Sequence, residues 1–242
     1  MQLPNRMESE AAFARRMARM TSRHRAQLRD YLGNPPNVNN VPETFWREIE
    51  EDTKRETLAV LYLLFLNSSF YHASGDMTGA GLSDLMQQQL EREATAYSDQ
   101  RSLELATGYV ATSHDRFNDL ATEIRQKQSS GIEITRGEIE DEITRIFGPD
   151  RATNIAMTET TKAQTGGGEA GARYTFGITV DDTWNTKQDG KVCPKCEPLN
   201  GQPRSVWAQI FPSGPGDDAH VNCRCWLTYA NRVDQLPRRF VA

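Results

Sequence analysis

All four cysteines of this 242-residue chain fall in one short stretch, as Cys193, Cys196, Cys223 and Cys225, and the first 192 residues contain none. Random placement would not do this. The stretch reads Cys193-Pro-Lys-Cys196, then 23 residues, then His220-Val-Asn-Cys223-Arg-Cys225. Two donors three apart on a turn converge on one ion, and His220 and Cys223 repeat that spacing, so the two pairs complete a tetrahedron. Thiolates with one imidazole select zinc over magnesium or calcium. Five donors compete for four places. Cys223 and Cys225 fall on the same face if residues 223–229 form a strand, so either serves as the last ligand. The loop Phe211-Pro-Ser-Gly-Pro-Gly-Asp-Asp218 lets the halves meet. A structural zinc is expected; the alternative is a set of reduced, buried cysteines without metal. Residues 1–25 are polar and charged, so no secretory signal is expected, and in a reducing compartment metal binding is favoured over disulfides.

Ahead of the cysteines the apolar period is helical. Phe13, Met17, Met20, His24, Leu28 and Tyr31 share one face of a helix over 8–32, which makes His24 a packed core residue. Gly33-Asn-Pro-Pro-Asn-Val-Asn-Asn breaks that helix, so it reads as an arm able to move independently. Pro42-Glu43 opens a second helix, and its run Leu58–Leu66 is read as buried on all sides. That run is far short of the roughly 20 residues of a membrane span. Residues 83–128 read as two further helical segments, and Thr135-Arg-Gly-Glu138 is a capping box. Asp150 caps a helix running to about Gln164.

At Thr165-Gly-Gly-Gly168 and Gly171 the composition shifts, and a hinge is expected. Tyr174, Phe176, Ile178 and Val180 then alternate as a half-buried strand does, and Asp189-Gly190 signals a hairpin. The expected organisation is an arm and linker at 1–41, a helical body at 42–165 and a small β-rich Cys/His module at 166–242. The fold class is mainly α: an elongated helical body followed by a small, zinc-stabilised α+β module.

A net charge of −5 argues against general binding of polyanions. The arginines at 15, 16, 19, 23 and 25 read as a solvated helix face. Lys187, Lys191, Lys195, Arg204 and Arg224 are offset by Asp181, Asp182, Asp189, Asp217 and Asp218, which gives little support to a nucleic-acid-binding zinc module. His24, His72 and His114 lack Glu two residues later, so the deaminase pattern is missing. His-Glu-x-x-His, the P-loop and Gly-x-Ser-x-Gly are missing too. A zinc-dependent nuclease would have to draw on His220, Glu159 and Asp189. Their simpler readings are a ligand, a helix-surface acid and a turn residue. No catalytic residue is assigned, and the chain is read as a non-enzyme.

The ordered series Ile155-Ala-Met-Thr-Glu-Thr160, Trp184, Asp189, Cys193-Pro-Lys-Cys196, Leu199-Asn-Gly201 and His220-Val-Asn-Cys223-Arg-Cys225-Trp-Leu resembles the phage Mu F-like head morphogenesis family over about residues 150–230. The closing His-x-Asn-Cys-Arg-Cys step is the most specific piece. Met157 stands where many relatives have Arg, and Val221 where proline is usual; neither removes a donor. The resemblance implies a non-enzymatic minor head protein of a tailed bacteriophage, present in several copies in the virion and in the host cytoplasm during assembly. It implies portal and capsid or scaffold subunits as partners, packaged DNA as a further contact, and no membrane. Glu159, Trp184, Asp189, Asn222 and Arg224 would support the metal ligands. Some relatives carry a fused C-terminal toxin domain; with Ala242 so close to the motif, none is expected here.

Overall fold

The computed structural model describes residues 3–132, 134–177, 180–187, 190, 192–216 and 219–231. The chain is mainly helical. Helices α1 (Arg6–Leu32), α2 (Glu43–Ser74), α3 (Asp84–Ser129), α4 (Arg136–Phe147) and α5 (Pro149–Phe176) precede strand β1 (Val180–Asn185), the single turn α6 (Arg204–Trp207) and strand β2 (Trp226–Asn231). Among the described residues no helix is long and apolar enough to cross a membrane.

Local signals set most helix ends. Thr135 accepts from the Glu138 amide, and the Glu138 carboxylate accepts from the Thr135 amide, closing the expected capping box at the start of α4. Pro149 opens α5 in the first turn, where a missing N–H costs nothing.

Residues 83–128 form one helix, not two. Its buried stripe runs unbroken through Leu90, Ala94, Ser98, Ser102, Ala106, Tyr109, Ser113, Phe117, Leu120 and Ile124. The serines break the stripe when only apolar residues are counted. Buried Ser98 and Ser113 direct their hydroxyls to the carbonyls of Thr95 and Tyr109, at 3.0 and 2.7 Å, so they are satisfied within the helix. The run Leu58–Leu66 is not covered all round, since Leu63 is 53 % exposed.

By contacts the chain groups into two compact units, one of Met1–Ala12, Ala59–Asp99 and Asn154–Ala242, the other of Phe13–Leu58 and Gln100–Thr153. The grouping brings together distant stretches rather than following consecutive segments. In the second unit Phe13, Met17, Met20, Leu28, Phe45, Ile143 and Phe147 are fully buried. His24 is a core residue there, as expected, with Nε2 3.0 Å from Asp52 Oδ2 and Nδ1 3.2 Å from the Tyr109 hydroxyl. Burial holds its pKa below the ordinary value although Asp52 pulls the other way. Arg15, Arg19 and Arg23 are exposed, and Arg16 and Arg23 pair with Glu56 and Asp52, as on a solvated face.

The glycine run is not a hinge. Gly166, Gly167, Gly168 and Gly171 lie inside α5, which continues past Gln164 to Phe176. A Cβ on Gly167 would sit 2.1 Å from the Phe65 carbonyl oxygen, and one on Gly171 would sit 2.1 Å from that of Ser69. These glycines, four apart, form a groove that receives the backbone of α2. Ser68 Oγ donates to the Gln164 carbonyl at 2.7 Å across the same seam. Phe65, Leu66, Phe70, Leu90, Ala94 and Ala170 form the core beside it.

Tyr174 and Phe176 are therefore helical, not alternating strand residues; the strand begins at Val180, and Ile178 lies outside the described residues. β1 pairs antiparallel with β2, from Val180 opposite Asn231 to Asn185 opposite Trp226. The hairpin expected at Asp189-Gly190 is not how β1 finds its partner, and Asp189 lies outside the described residues. Cys223 and Cys225 precede β2 instead of lying on it.

Candidate metal centre

Strand β1 anchors the Cys193–Cys196 turn. The Trp184 amide donates to the Gln202 carbonyl at 2.9 Å, and the Gly201 amide donates to the Trp184 carbonyl at 2.8 Å. Leu199-Asn-Gly201 is thereby fixed to the strand, and the Cys193–Cys196 turn just before it is fixed too. In that turn the Cys196 amide donates to the Cys193 carbonyl at 3.0 Å and lies 3.3 Å from its sulfur. Asp182, buried on β1, accepts from Trp207 Nε1 and Arg204 Nε, each at 2.8 Å. Burial raises its pKa against the pull of Arg204. Trp184, Leu199, Trp207, Phe211, Ala219 and Leu227 make an apolar cluster that encloses Cys196, Cys223 and Cys225. Trp184 and Phe211 stack at 5.5 Å.

The five sequence-predicted donors meet here. Cys193, Cys196 and His220 place their ligand atoms within 4.8 Å of one another, and so do Cys196, Cys223 and Cys225. Cys196 belongs to both groups. Cys193 and His220 are half-buried and the other three are buried. Cys196 Sγ is 3.3 Å from His220 Nε2. His220 Nδ1 lies 2.8 Å from the Val221 carbonyl oxygen. A carbonyl only accepts, so Nδ1 carries the proton, and the Nε2 lone pair faces the thiols, the orientation a metal-bound imidazole adopts. The described residues thus bring together a donor set able to hold a metal ion.

The sulfurs are electrostatically linked. Hydrogen bonds from Cys196 and Cys225 hold the Cys223 thiol far below the usual range. Hydrogen bonding to Cys223 and Cys225, with burial, pushes Cys196 up. For Cys225 a hydrogen bond from Cys196 favours the thiolate, but Cys223 and burial prevail and raise it. Within the trio, negative charge is therefore favoured on Cys223 over its two neighbours. A bound dication would drive off the remaining thiol protons. Trp184 Nε1 is buried without an acceptor at hydrogen-bonding geometry; its N–H lies near Cys225 and favours a thiolate there.

The supporting residues divide. Asn222 takes φ +65°, a left-handed conformation that Asn tolerates, and turns the chain between His220 and Cys223. Its amide donates to Thr158 Oγ1 at 3.0 Å and its Nδ2 to Asn154 Oδ1 at 2.9 Å, which ties the ligand loop to α5. Arg224 is half-buried between two cysteines. Glu159 is buried on α5 with Lys162 Nζ at 4.0 Å, and it is not among the clustered donors. It is thus not the surface acid expected.

One residue of the site escaped sequence reasoning. Arg6 is 4 % exposed. Its guanidinium donates to the Cys225 carbonyl at 3.3 Å and to Thr161 Oγ1 at 2.6 Å, and Thr161 in turn donates to the Cys223 carbonyl. The available signal was a cation at the first residue of a helix, where the macrodipole disfavours it. Burial lowers its pKa, while Glu10, Cys223 and Cys225 stabilise its charge. A comparison with protein-family models, curated proteins and solved structures gave no match to this chain.

Proposed function

We propose that this chain is a structural minor head protein of a tailed bacteriophage, with its C-terminal module locked by one zinc ion. The gathering of Cys193, Cys196, His220, Cys223 and Cys225 into two triads that share Cys196 supports this reading. It is the arrangement that a head-morphogenesis motif with two separated ligand pairs requires. Zinc–sulfur bonds of about 2.3 Å and zinc–nitrogen bonds of about 2.0 Å imply tetrahedral edges of roughly 3.5–3.8 Å. Within each triad the spacing, 3.3 Å for Cys196 Sγ to His220 Nε2 and at most 4.8 Å for the others, is compatible with those edges, and Cys196 is common to both. Seating one ion on four ligands would draw the two triads together about Cys196.

The donor set also supports a non-catalytic role. Five donors for four places leave no position for an activated water, and soft sulfur ligands suit a closed structural site. Glu159, the acid a hydrolase would need, is not among the clustered donors. In this reading zinc supplies rigidity alone. The chain's own residues do the rest: Trp184 and Trp207 exclude water, Asn222 sets the turn, and the helices present surfaces to portal and capsid subunits.

Two measurements on the purified chain test this. Metal analysis should find about one zinc per chain, as a single four-ligand site demands. Co-expression with the portal and capsid subunits of the same phage should place the chain in procapsids. A metal-free folded chain, or a zinc-loaded chain that joins neither portal nor procapsid, would sink the corresponding half of the proposal.

A further inference from the structure

A closed site of three thiolates and one imidazole on a dication carries a net charge of −1, and one of four thiolates carries −2. Leaving such an anion in an apolar cluster is costly unless a cation is buried beside it. Among the described residues Arg6 is the one arginine in the buried class. Its two hydrogen bonds go to neutral acceptors, the Cys225 carbonyl and the Thr161 hydroxyl. Its carboxylate neighbour, Glu10, stands off at 3.9 Å and is partly exposed. A guanidinium buried this deeply, and so weakly paired to a carboxylate, requires another source of negative charge. The sulfurs of Cys223 and Cys225, whose carbonyls Arg6 already holds directly or through Thr161, would supply that charge once they bind a metal ion. Arg224, half-buried and between these cysteines in the chain, lies near enough to Arg6 to oppose its charge. The cavity against Arg6 is lined also by Leu3, Thr161, Trp226 and Tyr229 and offers about 20 Å³, room for about one water.

We propose that Arg6 is the internal counter-charge of the metal centre, so that seating the first turns of α1 and loading the metal are one coupled event. The inference rests on the metal reading above. It adds a residue more than 180 positions from the nearest ligand, and it makes residues 3–12 a reporter of metal occupancy. By reciprocity, whatever pulls that segment away weakens metal binding by the same factor.

The test uses the full chain, free zinc and a competing chelator. Arg6→Met keeps most of the volume and removes the charge; Arg6→Lys keeps the charge and loses the planar fork. Arg6→Met should weaken zinc binding roughly 10- to 100-fold, the usual range for an outer partner of a metal ligand, while helical circular dichroism persists. Arg6→Lys should recover most of that loss. In the wild-type chain, amide hydrogen exchange over residues 6–12 should slow when zinc is added. Equal zinc affinity in Arg6→Met and wild type overturns the inference and leaves the zinc reading intact, as does equal impairment of the Met and Lys variants. If the Met variant does not fold, the lysine variant and the wild-type exchange decide: exchange over residues 6–12 that ignores zinc overturns the coupling. A wild-type chain that binds no zinc overturns the metal reading itself.

Discussion

Replacing Gly167 by alanine should destabilise the protein, although alanine is the better helix former. In a helix with free space beside it, glycine to alanine gains about 1 kcal/mol. Gly108 offers that reference, since it lies within α3 and a Cβ there meets nothing within 4 Å. At Gly167 the added carbon would stand 2.1 Å from the Phe65 carbonyl oxygen and 3.0 Å from Ser68 Cβ. Ordinary contact needs about 1 Å more, and a backbone carbonyl in α2 cannot rotate aside, so α2 and α5 must separate. Overpacking of this kind costs typically 1–3 kcal/mol, and a backbone obstacle belongs at or above the top of that range. After subtracting the propensity gain, the net loss is roughly 2 kcal/mol or more, a fall of roughly 4–8 °C in Tm for a chain of this size. Gly166→Ala makes the internal control: its Cβ would meet the Phe65 ring edge at 3.2 Å, which can yield by a few tenths of an ångström, and the Tyr97 ring at an ordinary 3.7 Å. Urea unfolding of the three variants, each with saturating zinc, should rank Gly108→Ala above Gly166→Ala, and Gly167→Ala last. A Gly167→Ala chain as stable as wild type, or more so, would refute the close-packed seam and restore the hinge.

Other consequences are equally direct. Cys196→Ser removes the sulfur common to both donor groups, so the chain should lose stoichiometric zinc, and residues 180–231 should become protease-sensitive while the far-UV helical signal is retained; an undisturbed C-terminal module would contradict the coupling of metal and fold. Burial holds His72, packed edge-on against Tyr229, at a pKa of about 4. Its folded value is depressed below the unfolded 6.5, so its contribution is complete above pH 6.5 and is lost as pH falls toward 4, by about 3 kcal/mol. His72→Phe should flatten that slope relative to wild type in urea midpoints taken at pH 7 and pH 4.5, and an unchanged slope would rule out His72 as its source. Asn222→Ala gives up the bond to Asn154 and forces a left-handed alanine, for about 2 kcal/mol together. Asn222→Gly loses only the bond, so its Tm should fall about half as far; equal falls would mean that the backbone conformation is not what Asn222 supplies.

What was legible in the amino acids was local or compositional. Thiol and imidazole side chains at repeated three-residue spacing announce a shared ligand, because few other uses suit that chemistry, and the fold gathers all five. Capping residues and prolines mark helix ends, because the amides they satisfy or lack lie within one turn. Legibility failed wherever the deciding partner was far along the chain. The glycines of α5 look like a joint until the carbonyls of Phe65 and Ser69 occupy the space where their side chains would be. Ser98 and Ser113 interrupt a pattern of apolar residues but not a buried helix face, since each finds its acceptor one turn back. The β1 partner lies beyond a 40-residue excursion, past the nearer turn signal at Asp189-Gly190. Arg6 gives only an odd charge at a helix start until the thiol cluster is placed beside it. Side-chain chemistry and short-range spacing are carried by the residues themselves, whereas close approach, burial and charge balance belong to pairs of surfaces, and these exist only once the chain has closed on itself.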